Sequence, residues 1–238
     1  MCVIQICIIP KRVVILKNIS NLHLDYLVEI YQVSHIETNG AVEFVSSAEL
    51  SQRMFATQSS VNRIIDRLNT LGLVEYQPYV GVKLNQQGQE LAVELLRKQA
   101  MIESFLMHTL KFEWHQVYEE ASQLRHHVSN AVLNRMWKIA GQPKRSPFGE
   151  WIEAPPNGQS NSRLLIDGEL KQHYVIDRIL TRQSDRLQYL SALGLIPGTR
   201  LQLLHKAPFD GPIQIHLDRE YRILAHDLSQ MMTILPTD

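Results

Sequence analysis

The stretch TQSSVNRIIDRLNTLG, from Thr57 to Gly72, constrains the fold of this chain more than any other part of its sequence. Its apolar residues recur three and four positions apart, the spacing of one face of a helix. They are Val61, Ile64, Ile65, Leu68 and Leu71. Gly72 follows where a left-handed cap would end the helix. The stretch therefore predicts a helix with one buried and one polar face.

The residues on either side predict a helix before this one and a hairpin after it. Ser46 stands three positions before Glu49, the spacing of a capping box that would begin a short helix. After Gly72, LVEYQPYVGVKL alternates around a turn at Tyr79 to Gly81, which is typical of two antiparallel strands. Helix, tight turn, helix and hairpin form the order of a winged helix-turn-helix, whose second helix fits the DNA major groove.

The predicted second helix presents amides, hydroxyls and guanidinium groups on its polar face. These groups bond base edges and phosphates, and they belong to Gln58, Ser59, Asn62, Arg63 and Arg67. Tyr79 and Lys83 would lie on the wing, near the flanking DNA backbone. Any surface helix is polar, however, and helix-turn-helix units also serve as packing units. Lys plus Arg and Asp plus Glu both number 24, so DNA binding would depend on local placement of charge.

Composition shifts predict the domain organisation. Apolar residues at helical spacing continue to about residue 140, and among them Val132, Leu133 and Met136 are expected on the inner side of one helix. EAPPNGQSNSR has the composition of a linker. Short alternating runs follow it, as in a small β-barrel, and PFDGP within them reads as a turn in which Gly211 adopts the unusual backbone angles. We predict an extension at 1–20, a winged helix at 21–84, a helical domain at 85–152, a linker at 153–163 and a barrel at 164–238.

Several protein classes are disfavoured by the sequence. Pro10, Lys11 and Arg12 interrupt the apolar first residues before they reach the length of a membrane span, and their order is not that of a secretory signal. The only cysteines are Cys2 and Cys7, which leaves no disulfide framework. There is no phosphate-cradling glycine loop and no nucleophile–base pairing. We therefore expect a cytoplasmic protein that is neither a membrane protein nor an enzyme.

Four stretches of the chain resemble the diphtheria-toxin-repressor and manganese-transport-regulator family of metal-dependent transcription factors. They are DYLVEIY at Asp25, SSVNRIIDRLNTLGLV at Ser59, RSPFGEWI at Arg145 and the last 75 or so residues, which resemble the SH3-like domain of ferrous-iron-transport A proteins. The resemblance implies a mainly α fold with a winged helix, a helical dimerisation domain and an SH3-like barrel. It also implies a homodimer on a palindromic double-stranded DNA operator, contacted at Thr57, Ser59, Ser60 and Arg63.

By the same resemblance, family members hold Mn or Fe at sites that this chain matches incompletely. The primary site is matched by Asp25, Ser122, Arg125 and His126. An ancillary site is matched by Gln99, Glu103, Tyr118, Gln183 and Arg186. Only Asp25, His126 and Glu103 are candidate metal ligands, because a guanidinium has no lone pair to give. A divalent Mn or Fe cofactor is therefore implied by the family but poorly supported by these residues.

Arg125 suggests a replacement for the metal. Our hypothesis is that its guanidinium takes the place of the ion's charge and forms an ion pair with Asp25. The helical stretch EEASQLRHHVS also leaves two alternatives open: His126 and His127 are solvated or hydrogen-bonded histidines, or they join nearby acidic residues and histidines in a displaced metal site. These neighbours are Glu119, Glu120, His108 and His115.

The sequence thus predicts a homodimeric, DNA-binding transcriptional regulator that represses genes of Mn or Fe homeostasis through a degenerate or rebuilt metal site. The competing prediction is an accessory factor, for protein interaction or metal handling, in which the winged helix no longer binds DNA.

Overall fold

A computed structural model of the chain describes residues 19–36, 44–153, 162–217 and 220–237, with the backbone alone for residues 35 and 36. The chain forms two compact units, divided between Leu96 and Arg97. The predicted extension, apart from residues 19 and 20, and residues 154–161 of the predicted linker lie outside the described residues. Within the described residues, no helix is long and apolar enough to cross a membrane.

The first unit contains the predicted helix-turn-helix and hairpin. Its elements are α1 (Asn21–Ile36), α2 (Ser47–Arg53), α3 (Gln58–Thr70), β1 (Val74–Gln77) and β2 (Gly81–Leu84). Ser46 caps α2 by accepting a hydrogen bond from the backbone N–H of Glu49, as the capping-box spacing predicts. Gly72 adopts the left-handed conformation (φ 67°) after α3. Apolar side chains from all of these elements share one core.

The hairpin is held close to the segment before α2. Val45 and Val82 exchange two backbone hydrogen bonds, of 2.8 and 2.9 Å. A Cβ atom at Gly81 would lie 2.4 Å from the carbonyl oxygen of Val45, so this approach requires glycine. The wing is therefore fixed against the helix-turn-helix.

The second unit begins with helices. They are the C-terminal part of α4 (Gln86–His108), which spans the division between the units, α5 (Val117–Leu124) and α6 (Asn130–Ile139). The helix predicted through EEASQLRHHVS ends earlier than expected, at Leu124, so His126 and His127 lie in the turn that follows. Val132 is 52% exposed, so its predicted inward position is wrong for the single chain, whereas Leu133 is buried.

A six-stranded antiparallel sheet completes the second unit, in the order β3-β8-β4-β5-β6-β7. Its elements are β3 (Arg163–Leu164), β4 (His173–Ile179), α7 (Ser184–Ala192), β5 (Arg200–Lys206), β6 (Ile213–Leu217), β7 (Glu220–Leu224), α8 (His226–Ser229) and β8 (Met232–Pro236). The sequence did not predict β3, α8 or β8. In the turn PFDGP, the positive φ angles belong to Phe209 and Asp210, so the expectation for Gly211 is wrong.

Helices and sheet of the second unit share one hydrophobic core. Ile102 and Phe148 from the helical part belong to the same buried cluster as Ile176 and Ile179 of β4. The loop from Arg145 to Ile152 thus lies between the two layers of this unit.

Candidate nucleic-acid interface and effector site

The N-terminus of α3 carries a cluster of hydroxyl groups bonded to one another. Thr57 caps the helix: its Oγ1 accepts a hydrogen bond from the backbone N–H of Ser60 at 3.3 Å. The same oxygen lies 3.1 Å from the hydroxyl of Ser59. Arg63 Nη2 donates to Ser60 Oγ over 3.3 Å, which holds the guanidinium over the first turn. These residues form one preordered polar surface.

The rest of the α3 surface agrees with the sequence pattern. Val61, Ile65 and Leu68 are completely buried, and Ile64 is partly buried. The opposite face is exposed and consists of Gln58, Ser59, Asn62, Arg63 and Arg67. A helix with this division can present its amides and guanidinium groups to a groove without disturbing its core.

The wing places one predicted residue outward and holds the other against the hairpin. Tyr79 is fully exposed at the turn, where its φ angle is 67°. Lys83 is half-buried: its Nζ lies 3.0 Å from Glu75 Oε2 and 4.9 Å from the ring centre of Phe44. Its charge is therefore partly neutralised within the wing.

A second cluster of polar side chains lies inside the other unit. Its hydrogen bonds connect the guanidinium of Arg125 to the carboxyl group of Glu103 through Gln99. Gln99 of α4 donates from Nε2 to Glu103 Oε1 at 3.0 Å. Its Oε1 accepts a short hydrogen bond from Arg125 Nη1. Arg125 Nε also donates to His126 Nε2 at 3.3 Å, which requires a neutral imidazole with its lone pair on that nitrogen. Gln99, Glu103 and Arg125 are all buried.

Glu103 is in an unusual state for a carboxyl group. Burial raises its pKa to about 8, and the nearby carboxylate of Glu150 acts in the same direction. Arg182, the hydrogen bond from Gln99 and Arg125 oppose this rise without cancelling it. At neutral pH the side chain is therefore mostly protonated.

Arg182 and Glu150 lie beside Glu103, and the sequence did not single out either residue. Arg182 follows β4, and its Nη2 forms a short ion pair with Glu150 Oε1. The sequence carries no local signal for this contact, since the two residues are 32 positions apart. Only the resemblance at the ancillary positions, which include Glu103, Tyr118 and Gln183, pointed to this place.

Comparisons with known proteins assign the chain to a family. The family model "Iron dependent repressor, N-terminal DNA binding domain" matches residues 22–82. "Iron dependent repressor, metal binding and dimerisation domain" matches residues 85–153, and "FeoA domain" matches residues 164–234. The chain belongs to the iron-dependent repressor family. This family consists of transcriptional repressors, and its fold of winged helix, helical domain and SH3-like barrel is the one predicted.

Two relatives and one solved structure agree with this assignment. The diphtheria toxin repressor of Corynebacterium glutamicum is 25% identical over 193 residues, 76% of this chain and 82% of the relative. An uncharacterized HTH-type transcriptional regulator of Methanocaldococcus jannaschii is 33% identical over 112 residues, 47% of this chain and 86% of the relative. A manganese-dependent transcriptional repressor in complex with manganese has a TM-score of 0.78, 25% identity and coverage of 90% of this chain and 100% of that chain.

The residues of this iron-dependent repressor do not fit the metal sites that the family implies. Among the described residues, no three His, Cys, Asp or Glu side chains are grouped so as to hold an ion. Arg125 lies among the matched primary positions, and the Nε2 lone pair of His126 faces its guanidinium. At the ancillary positions, Gln99 bonds Arg125, Glu103 is protonated, and Arg186 contacts Met231 Sδ at 3.4 Å. Two guanidinium groups act on Glu103, that of the buried Arg125 and that of the largely buried Arg182.

Proposed function

We propose that this protein is a homodimeric repressor of Mn or Fe homeostasis genes that binds a palindromic operator through α3, and that it binds DNA without a metal ion. The observation that carries DNA binding is the exposed polar face of α3, which begins at the hydroxyl cluster of Thr57, Ser59 and Ser60. In the proposal the functional domains keep the boundaries 21–84, 85–152 and 164–238.

Exposed apolar side chains support the homodimer. Val132 and Ile139 lie seven positions apart on α6, with the half-buried Met136 between them on the same face. They lie in the segment that matches the dimerisation model. An apolar stripe on an otherwise polar helix is typical of a surface that is covered by a partner. A two-fold dimer would present its α3 helices to major grooves about 34 Å apart.

Metal independence is supported by the buried charge of Arg125. A guanidinium keeps its charge at all physiological pH values and repels a divalent cation. Its hydrogen bonds to Gln99 Oε1 and His126 Nε2 occupy lone pairs that could otherwise bind a metal ion. In the proposal it also pairs with Asp25 of α1, which would join the DNA-binding unit to the dimerisation helices without an ion. In this proposal the pair of Asp25 and Arg125 replaces the family's metal switch and does not depend on an ion.

A DNA-binding titration at several salt concentrations tests the proposed function. The full-length chain is titrated against its own upstream DNA and against duplexes selected from a random pool. Phosphate contacts predict a steep loss of affinity with salt. We expect Arg63→Ala to weaken binding about tenfold and to reduce the salt slope by about one.

Arg200→Ala is the matched control, because it removes the same charge from an exposed position at the start of β5, outside the proposed DNA and dimer surfaces. This control variant should leave the affinity for DNA and its dependence on salt unchanged. If the chain selects no duplex, or if both variants have the same effect, the alternative function as an accessory protein-interaction or metal-handling factor is favoured instead.

A further inference from the structure

Arg182 is enclosed by acceptors from several segments of the second unit. Its side chain is 11% exposed. Nη1 donates to the backbone carbonyls of Ile179 at 2.5 Å and Thr181 at 2.9 Å, which belong to the end of β4 and the residues after it. Nη2 pairs with Glu150 in the loop that follows the helices. The guanidinium thus spans the barrel and the helical layer.

Two aromatic rings complete the enclosure. The guanidinium carbon of Arg182 lies 4.5 Å from the ring centre of Phe148 and 5.4 Å from that of Tyr118. Phe148 is completely buried, and Tyr118 belongs to α5. Cation–π contacts are strongest when they are desolvated, as here. The pocket formed by these acceptors and rings around Arg182 therefore favours a positively charged group.

Two carboxyl groups approach each other at this pocket. Glu103 of α4 is close enough to Glu150 and to Arg182 for both charges to act on it. Glu103 Oε2 is buried and has no hydrogen-bond partner among the described residues. Glu150, whose side chain is 27% exposed, is paired with Arg182, and the buried Glu103 lies close enough to feel both charges.

We propose that the Arg182 guanidinium is the fixed cation that holds the barrel to the helical layer beside Glu103 and Glu150, with no divalent ion needed there. This inference extends the proposed metal independence to a second position. A planar guanidinium cannot dissociate as an ion does, so the two layers stay joined whether or not metal is present.

The pocket does not depend on Arg182 for its overall shape. Arg145 Nη1 lies 2.6 Å from the buried Oδ1 of Asp177 in β4, and its guanidinium stacks on Trp151 at 4.2 Å. A Cβ atom at Gly149 would lie 2.0 Å from the carbonyl oxygen of Asp177, so the loop packs directly on the strand. These contacts keep Glu150 in place when Arg182 is replaced.

Thermal unfolding of the full-length chain tests the inference without DNA, so it is independent of the outcome for operator binding. Wild type should melt at the same temperature in excess EDTA and in excess MnCl2. Arg182→Ala should melt roughly 10 °C lower in EDTA, because it leaves the Glu150 carboxylate without its cation and removes the contacts with Phe148 and Tyr118. Added Mn²⁺ should restore part of this loss in the variant alone, because carboxylates suit that ion. Arg182→Lys, which keeps a cation, should melt at a temperature between those of wild type and Arg182→Ala.

Arg200→Ala is the matched control: it removes an exposed arginine at the start of β5 and should melt like wild type. The melting temperature of the double variant Arg182→Ala/Glu150→Gln should fall by much less than the sum of the two single decreases. The inference is overturned if Arg182→Ala melts like Arg200→Ala, if the decreases add, or if Mn²⁺ affects wild type and Arg182→Ala equally.

Discussion

Gln99 shows why the candidate effector site could be located from the sequence although its contacts could not be predicted. The resemblance marked its position, yet an amide is a weak metal ligand, and nothing in the sequence indicates which groups Gln99 contacts. In the structure this one amide donates to Glu103 and accepts from Arg125. Glu103 lies four positions along the same helix, but the contact with Arg125 depends on the fold, since that residue is 26 positions away. Residue types excluded a complete metal site, but only the packing shows the chain of hydrogen bonds.

Glu103 makes stability depend on pH in a defined direction. Its pKa rises from the ordinary value of 4.5 to about 8 in the folded protein. The folded state therefore binds more protons than the unfolded state between these values, and the stabilisation from this group is lost as pH rises through about 8. Each unit of pKa difference corresponds to about 1.4 kcal/mol.

We expect Glu103→Gln to remove this component of the pH dependence. The amide oxygen can still accept the hydrogen bond from Gln99, and no charge appears at high pH. Urea unfolding from about pH 5 to about pH 9 measures the free energy of unfolding of both proteins. As pH rises, the free energy of unfolding of the variant should increase relative to that of wild type. If the two free energies change in parallel with pH, Glu103 is ionised throughout this range.

The proposed pair of Asp25 and Arg125 is tested by exchanging its charges. Asp25→Arg and Arg125→Glu should each weaken operator binding in EDTA by at least about tenfold, because each leaves like charges together. The double variant should recover most of the affinity if the two side chains pair. Fluorescence anisotropy with a labelled duplex gives the affinities, and additive losses in the double variant would argue against the pair.

At the scale of elements, the first unit was more predictable than the second. The periodicity, caps and turn residues of α2, α3 and the hairpin are local signals, and the structure confirms them. The end of α5 at Leu124 has no such signal, because Arg125 to His127 are compatible with a helix and their positions depend on buried contacts. β3 is only two residues long, and it pairs with β8, the last strand of the barrel in the sequence. Neither strand could therefore be predicted from a local sequence pattern.

The apolar face of α6 gives a prediction at this scale. Val132→Asp should shift the protein from dimer to monomer, since an unpaired carboxylate would be buried in the proposed interface. Asn134→Asp adds the same charge to an exposed position on another side of the helix and should leave the dimer intact. Sedimentation velocity measures the two populations. Equal dimer content in both variants would place the interface elsewhere.

For the whole molecule, the sequence predicted the order of domains but not what connects helices to barrel. The winged helix, helical domain and SH3-like barrel each have local or family patterns, and the matched family models agree with that order. The contacts of Arg182 with Glu150 and of Arg145 with Asp177 join residues 32 positions apart. Such pairs arise only from the three-dimensional arrangement.

The central claim is that guanidinium groups have replaced the metal ion and that the repressor binds its operator without one. The most direct measurement is the operator affinity of chelator-treated protein, with its metal content verified, before and after addition of Mn²⁺, Fe²⁺ or Zn²⁺. We expect the affinities to agree within about twofold, well below the roughly 5- to 150-fold coupling typical of an effector. Tight binding that appears only when one of these ions is added would contradict the claim.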